Sequence, residues 1–226
     1  MKDRKDHWNQ RYQENPFGKG KGPSAFIASM VDRLKKGKVL DVAMGEGQNA
    51  VYLAQKGFMV KGIDISEVGI EHAKKLAKDT GVEIDAQAVD LDLFIFKLFE
   101  YDSVLMTFFK PPMSRYYSEL IRTLKQGGTL LIESHTLEEI KNKKDPSSAN
   151  ADYYFSANEV LRNLKGLRIL YYNEAEVNGR HVVQCLAQKP LDKDAVKYGF
   201  DIAATQKEDP GSTAHHKLAE SLFKKK

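Results

Sequence analysis

Cysteine, tryptophan, long apolar runs and an excess of either charge are all scarce in this chain of 226 residues, and each scarcity excludes something. With Cys185 as the only cysteine, no internal disulfide can form. Its apolar setting, Val182-Val183-Gln184-Cys185-Leu186, predicts a buried, inert thiol, because a nucleophilic thiolate needs a cationic neighbour and none is evident in the sequence. No apolar run approaches the ~20 residues of a membrane span, and Met1-Lys2-Asp3-Arg4-Lys5-Asp6 lacks the apolar centre of a signal peptide. A cytoplasmic protein with no membrane partner is therefore expected. The 35 basic and 31 acidic residues leave a net charge of +4, and Lys224-Lys225-Lys226 account for most of it. A body so near neutrality argues against a broad nucleic-acid footprint. No metal is expected either, since His215-His216 has no further ligands beside it.

What the chain does contain is a strand, a glycine turn and a helix. Val39-Leu40-Asp41-Val42-Ala43 has the pattern of a buried strand, and Ala50, Val51, Leu53 and Ala54 keep helical spacing. Gly45 and Gly47 between them permit a tight turn with no side chain between backbone and ligand. In an open parallel sheet such a turn lies at the carboxyl end of a strand, where ligands bind, and free N–H groups of the next helix favour an anionic group there. Gly45-x-Gly47-x-x-Ala50 also fits a dinucleotide fingerprint, so the turn alone leaves the ligand open.

Around it, helices and strands alternate. Helices are predicted over Ser24–Lys36, over Gln48–Lys56, from the Ser66 cap to Gly81, and through Tyr116, Leu120, Ile121 and Leu124. Strands are predicted at Val39–Ala43, Met59–Ile63, Val82–Val89, Ser103–Met106 and Thr129–Ile132. This alternation specifies a parallel sheet covered on both faces. A polar loop follows from His135 to Phe155, and Ser156-Ala157-Asn158-Glu159 is a capping box that restarts a helix. Leu167–Tyr172 and His181–Ala187 then pair across Asn178-Gly179, a strong hairpin signal, so the sheet ends antiparallel. Three segments result. Residues 1–22 form an N-terminal lid or linker, with Trp8 and Tyr12 on one helical face before a Gly18–Gly22 hinge. Residues 23–190 form the domain, and 191–226 a polar extension in which Leu218, Ala219, Leu222 and Phe223 suggest a last amphipathic helix.

Asp41, Asp64 and Asp90 fall at or near the ends of three successive strands and would border one crevice. Asp64 follows Gly47 at close to the spacing at which a carboxylate reaches the ribose hydroxyls of an adenosine group. Asp90 is placed to accept from an exocyclic amine of adenine. Of the histidines, His135, beyond strand five, is the candidate base; His72, in a helix, and His181, in a hairpin strand, are expected to be structural.

Taken together, Val39–Gly47, Gly62-Ile63-Asp64-Ile65-Ser66, Val89-Asp90-Leu91, Leu124-Lys125-Gln126-Gly127-Gly128 and the closing hairpin resemble the class I S-adenosylmethionine (SAM)-dependent methyltransferases over about residues 7 to 189. Asp41 to Ala54 and Trp8-x-x-Arg11-Tyr12 resemble the tellurite-resistance and thiol-methyltransferase-like branch. Gln48 stands where that branch often has an arginine, and the Lys-rich loop 141–144 is not characteristic of it. The resemblance implies an α/β, Rossmann-like doubly wound sheet of seven strands in the order 3-2-1-4-5-7-6, mostly parallel with an antiparallel last strand. It also implies that the glycine turn, with Asp41, Ala43, Gly45, Gly47 and Asn49, meets the amino-acid end of SAM. Asp64 would bind the ribose and Asp90 the adenine, with Ile65 and Leu91 sandwiching the ring and Thr107 completing the set. Trp8, Arg11, Phe108 and Phe109 would meet the acceptor, with one of the two phenylalanines facing the core, and His135 and Tyr12 would serve catalysis.

Methyl transfer is an in-line displacement whose leaving group becomes neutral, so orientation is the main contribution, and S-adenosylhomocysteine is the product. A thiolate or oxyanion needs no strong base, whereas an alcohol or amine usually does. The leading expectation is transfer to a small thiol or chalcogen oxyanion by a monomer or homodimer. Alternatives are O- or N-methylation with His135 as base, a nicotinamide-dependent oxidoreductase whose sheet would continue in parallel, and a non-catalytic SAM- or RNA-binding module. Lys110-Pro111-Pro112-Met113 lacks the polar first residue and the aromatic of the nucleic-acid amino-methylating motif.

Overall fold

The computed structural model describes residues 2–18, 20–143 and 146–191. Backbone contacts divide the chain into Met1–Lys189 and Pro190–Lys226; the elements below all belong to the first unit, and the expected helix around Leu218–Phe223 lies outside the described residues. Seven strands, β1 (Lys38–Val42), β2 (Met59–Asp64), β3 (Asp85–Ala88), β4 (Tyr101–Thr107), β5 (Leu124–His135), β6 (Arg168–Val177) and β7 (Arg180–Gln188), form one sheet in the order β3-β2-β1-β4-β5-β7-β6. The first five pair in parallel, while β7 runs antiparallel to both β5 and β6. This is the predicted order, and the antiparallel end is not the parallel continuation that the oxidoreductase reading requires. The β6–β7 hairpin turns on Asn178 and Gly179, both at positive φ, the twist that a two-residue hairpin needs.

Each face of the sheet carries helices because side chains alternate along a strand. Val39, Val60 and Leu105 pack with Phe26, Ile27, Leu53 and Ile70, from α2 (Ala25–Met30), α3 (Gln48–Gln55) and α4 (Glu67–Asp79). Leu40, Val42 and Val104 face the other way, against Tyr117, Leu120, Val160 and Leu164, from α5 (Arg115–Thr123), α6 (Glu159–Asn163) and the turn after it. Each such aliphatic side chain contributes about 1.5–3 kcal/mol when fully buried. A 13-residue N-terminal helix, α1 (Lys2–Glu14), completes the set.

Several expected boundaries move, each for a local reason. The third strand starts at Asp85 instead of Val82 because α4 ends in a Schellman motif: the Val82 N–H donates to Ala77 O and the Gly81 N–H to Lys78 O, with Gly81 at φ +70. The Val82 amide is thus committed to the helix cap. The second helix stops at Met30, and a 3₁₀ turn, Val31–Arg33, leads to Lys35, whose N–H donates to Thr129 Oγ1 at 3.1 Å. Strand five continues past Ile132 because Glu133, Ser134 and His135 pair with Gln184, Val183 and Val182 of β7; His135 is therefore the last residue of the strand, not the first beyond it. The capping-box helix begins at Glu159, not directly after Ser156, yet Glu159 Oε2 still reaches back to accept from the Ser156 N–H at 2.9 Å. Within the expected loop 135–155 the chain forms short 3₁₀ turns, including Leu137–Asn142 and Ala151–Tyr153.

Candidate functional site

The carboxyl ends of β1 and β2 bring the glycine turn and two of the strand-end acids together. Asp64, buried at the end of β2, accepts from the Gly45 N–H and from the Ser66 N–H, each at 2.8 Å. It therefore ties the glycine turn to the start of α4. Burial raises its pKa, while the N–H groups of Ser66, Gly45 and Ile65 pull it back down. Asp41 is fully buried, and neither of its carboxylate oxygens has a hydrogen-bond partner. Burial first, and then the Asp64 carboxylate, push its pKa up to about 8. A buried carboxylate left without a partner is costly unless a cationic donor reaches it. The ammonium at the amino-acid end of SAM is such a donor, so the residues present fit this group. Small side chains make room for the turn: a Cβ on Gly47 would stand 2.6 Å from Ala73 Cβ, and one on Gly62 would run into the Met44 thioether. Ala43 itself lies at φ +55.

The N-terminal helix lies over this turn. Tyr12 is half-buried against it, and a Cβ on Gly45 would be 2.8 Å from Tyr12 Oη. Burial and the charges of Asp64 and Glu46 raise the Tyr12 pKa well above the usual phenol range, so its hydroxyl is a donor and not a proton acceptor at neutral pH. Trp8 stacks on Tyr12 with centroids 5.8 Å apart, and the Arg11 guanidinium stands 5.5 Å from the Trp8 ring. Asn9 Oδ1 accepts from Ser66 Oγ at 2.7 Å, and Lys5 pairs with Glu67 at 2.8 Å. Past the helix, the Phe17 N–H donates to Glu46, which also meets His72 Nδ1 at 2.8 Å. The expectation that His72 is structural agrees with this contact and with its stacking on Phe17.

On the β4–β5 side, Asn49 Nδ2 donates to Thr107 Oγ1 at 3.0 Å, and Asn49 Oδ1 accepts from the Ser24 N–H at 2.9 Å. Ser24 Oγ donates in turn to Glu133, which also accepts from Gln184 Nε2 at 2.8 Å. Phe108 turns at φ +50 with its ring 4.9 Å from that of His135, whereas Phe109 packs against the core. His135 Nε2 lies 3.3 Å from Arg180 Nη2. The Val89 N–H donates to Asp64 O, which brings Asp90 to the same edge of the sheet, and Leu91 packs on the core. Cys185 is fully buried and its pKa is pushed up to about 12 by burial, as an inert thiol requires. No group of three or more His, Cys, Asp or Glu suited to a metal occurs among the described residues.

Three participants had no place in the sequence reading: Glu46, Glu133 and Ser24. Glu133 directly follows the predicted fifth strand, as Asp64 follows the predicted second, so its signal was present. Ser24 and Glu46 carried none, because their partners are 25 to 109 residues away.

With this geometry in view, residues 39–128 match the family model described as a methyltransferase domain. The chain is 34% identical over 119 residues to a ribosomal protein L11 methyltransferase of Dictyoglomus thermophilum, covering 51% of this chain and 39% of that one. It is 35% identical over 71 residues to a ubiquinone biosynthesis O-methyltransferase of Pasteurella multocida, covering 31% and 29%. The chain thus spans well under half the length of these relatives. Among solved structures, TehB from Haemophilus influenzae superposes with a TM-score of 0.60 at 21% identity, over 82% of this chain and 66% of that chain. No helix among the described residues is long and apolar enough to cross a membrane. Residues 39–128 thus match a methyltransferase domain model, and the sheet around them has the fold and seven-stranded order of the class I methyltransferases.

Proposed function

We propose that this chain transfers a methyl group from SAM to a small nucleophile, a thiol or a chalcogen oxyanion. One observation supports the cofactor reading above others: the buried, unpartnered Asp41 carboxylate beneath the glycine turn, which suits a cationic amino-acid end. Bound SAM supplies an electrophilic methyl group on a sulfonium. Asp64 would hold the ribose hydroxyls and Asp90 the adenine amine, with Ile65 and Leu91 flanking the ring. Trp8, Arg11 and Phe108 would close on the acceptor. Holding the two reactants in line contributes about 7–11 kcal/mol in well-oriented systems.

The acceptor class rests on the state of the candidate bases. A guanidinium can only donate, so the Arg180 contact occupies the Nε2 lone pair of His135. Tyr12 is held protonated. Neither group is set up to abstract a proton, and a nucleophile already anionic needs no such step. Likeness to TehB over most of the chain agrees with the tellurite-type branch.

A screen of methyl acceptors with labelled SAM tests this. Turnover of thiols and selenite is expected, and it should survive His135→Ala within about tenfold, because a lost general base typically costs 10²–10⁴. A collapse by orders of magnitude with SAM affinity retained would point to base-assisted O- or N-methylation. Label entering protein or tRNA instead would overturn the small-molecule acceptor, and binding of NADH without SAM would revive the oxidoreductase.

The helix α1 with its glycine hinge is proposed as a lid. Its two anchors, the Phe17 N–H on Glu46 and Ser24 on Asn49, both lie in the cofactor turn or the helix after it. Residues 7–22 should gain hydrogen-exchange protection on adding S-adenosylhomocysteine. Equal protection in both states would make α1 a permanent staple.

A further inference from the structure

Three of the parallel crossovers in this sheet carry a helix: α3, α4 and α5. The fourth, from β3 to β4, does not. It must pass from the sheet edge across β2 and β1 to the middle, yet residues 89–100 contain only turns and extended chain. One sheet face over β1–β3 is therefore covered by a loop alone. Phe94 and Phe96 of this loop pack inward, edge to face at 4.9 Å, against the core. The residues between and beyond them point out: Leu93 is 74% exposed, Ile95 80%, Leu98 and Phe99 53% each, and Met59 of β2 62%. Of these, Leu93, Ile95 and Met59 line a groove of about 770 Å³. A monomeric protein rarely leaves several large apolar side chains so exposed around one groove.

We infer that this bare face is a homodimer interface and that its occupant is a second copy of this chain. The rim carries the argument. Lys38, Lys61 and Lys97 line the groove together with Glu83, Asp85 and Glu100, so the two signs balance. Lys61 pairs with Asp85 at 2.8 Å and Lys38 with Glu100 at 3.9 Å. A polyanion or an anionic membrane would call for a rim of one sign. An apolar centre inside a rim of mixed sign is complementary to itself under a two-fold rotation, which is the requirement of an isologous interface. Strand addition is the poorer alternative, because β3 has only four residues and Asp85 stands at its start. The partner would instead lay its own loop into the position that the missing helix leaves. Lys38, Met59 and Tyr101 begin β1, β2 and β4, so the groove opens at the amino ends of the strands, whereas the glycine turn follows the carboxyl end of β1. Dimerisation would leave the cofactor side accessible.

Sedimentation equilibrium of the full chain should show a monomer–dimer equilibrium. Ile95→Asp and Leu93→Asp, at positions too exposed to disturb folding, should weaken the dimer by at least about a hundredfold, the scale of an interface hot spot. Ile169→Asp, on the opposite edge strand β6, should leave it unchanged. Native circular dichroism and unaltered SAM binding would show that each variant is folded. A wild-type chain that stays monomeric at high micromolar concentration overturns the inference, and so does a dimer that Ile95→Asp leaves intact or that Ile169→Asp dissolves.

Discussion

Asp64→Ala should bind SAM about a hundredfold more weakly while the sheet stays folded. An ionised carboxylate offers about four acceptor positions. The Gly45 and Ser66 N–H groups engage two of them and the Ile65 N–H also acts on the carboxylate, and the remaining capacity suits a ribose hydroxyl. A charge-assisted hydrogen bond contributes about 1.5–3 kcal/mol, so loss of the ribose contacts alone accounts for two decades at about 1.4 kcal/mol each. The variant also releases the glycine turn from the start of α4, which should lower the melting temperature by a few degrees without unfolding the two apolar cores, neither of which includes Asp64. Calorimetry with S-adenosylhomocysteine is the measurement. A folded Asp64→Ala chain with undiminished affinity would remove Asp64 from the cofactor site.

The second large effect is expected at Asp41 and depends on pH. Burial and the Asp64 charge raise its pKa from 3.8 to about 8 in the ligand-free fold, so the carboxyl is mostly protonated at pH 7. For an acid whose folded pKa is raised, the linked stability is fully present below the unfolded pKa and is lost as pH rises through the folded one. The ligand-free protein should therefore lose stability progressively between pH 4 and pH 8. A cationic ligand group beside Asp41 reverses this preference by favouring the ionised form. SAM binding at pH 7 should then release about one proton, visible as a calorimetric enthalpy that varies with the ionisation enthalpy of the buffer. Affinity should rise with pH and level off above about 8. In Asp41→Asn the buffer dependence should vanish, the decline in stability over that window should flatten, and SAM affinity should fall at least about tenfold. A wild-type enthalpy that is the same in every buffer would mean that no charge reaches Asp41.

Asp41 also shows where sequence reading reaches its limit. Its place in an apolar run at a strand end was plain from Val39 to Ala43, and so was its proximity to the glycine turn. That both its oxygens are without partners follows only from the packing of β1 between β2 and β4. The same holds for His135. Its position after five strands was legible, but the β7 pairing that makes it a strand residue and the Arg180 contact on its Nε2 join positions 45 residues apart.

The sequence by itself determined the order of strands and helices, the antiparallel hairpin at Asn178-Gly179, the glycine turn, and the acids at the strand ends. These depend on periodicity and on local backbone preference, which a few neighbouring residues carry. Tertiary structure alone decided that Ser24 joins Asn49 and Glu133, that Glu46 anchors the N-terminal segment, that Phe108 meets the His135 ring while Phe109 packs on the core, and that the β3–β4 crossover lacks a helix. Those outcomes depend on which distant surfaces the folded sheet brings within hydrogen-bond or van der Waals reach. In the unfolded chain the hydrogen-bonding partners are separated by tens of residues, and only the folded sheet pairs them.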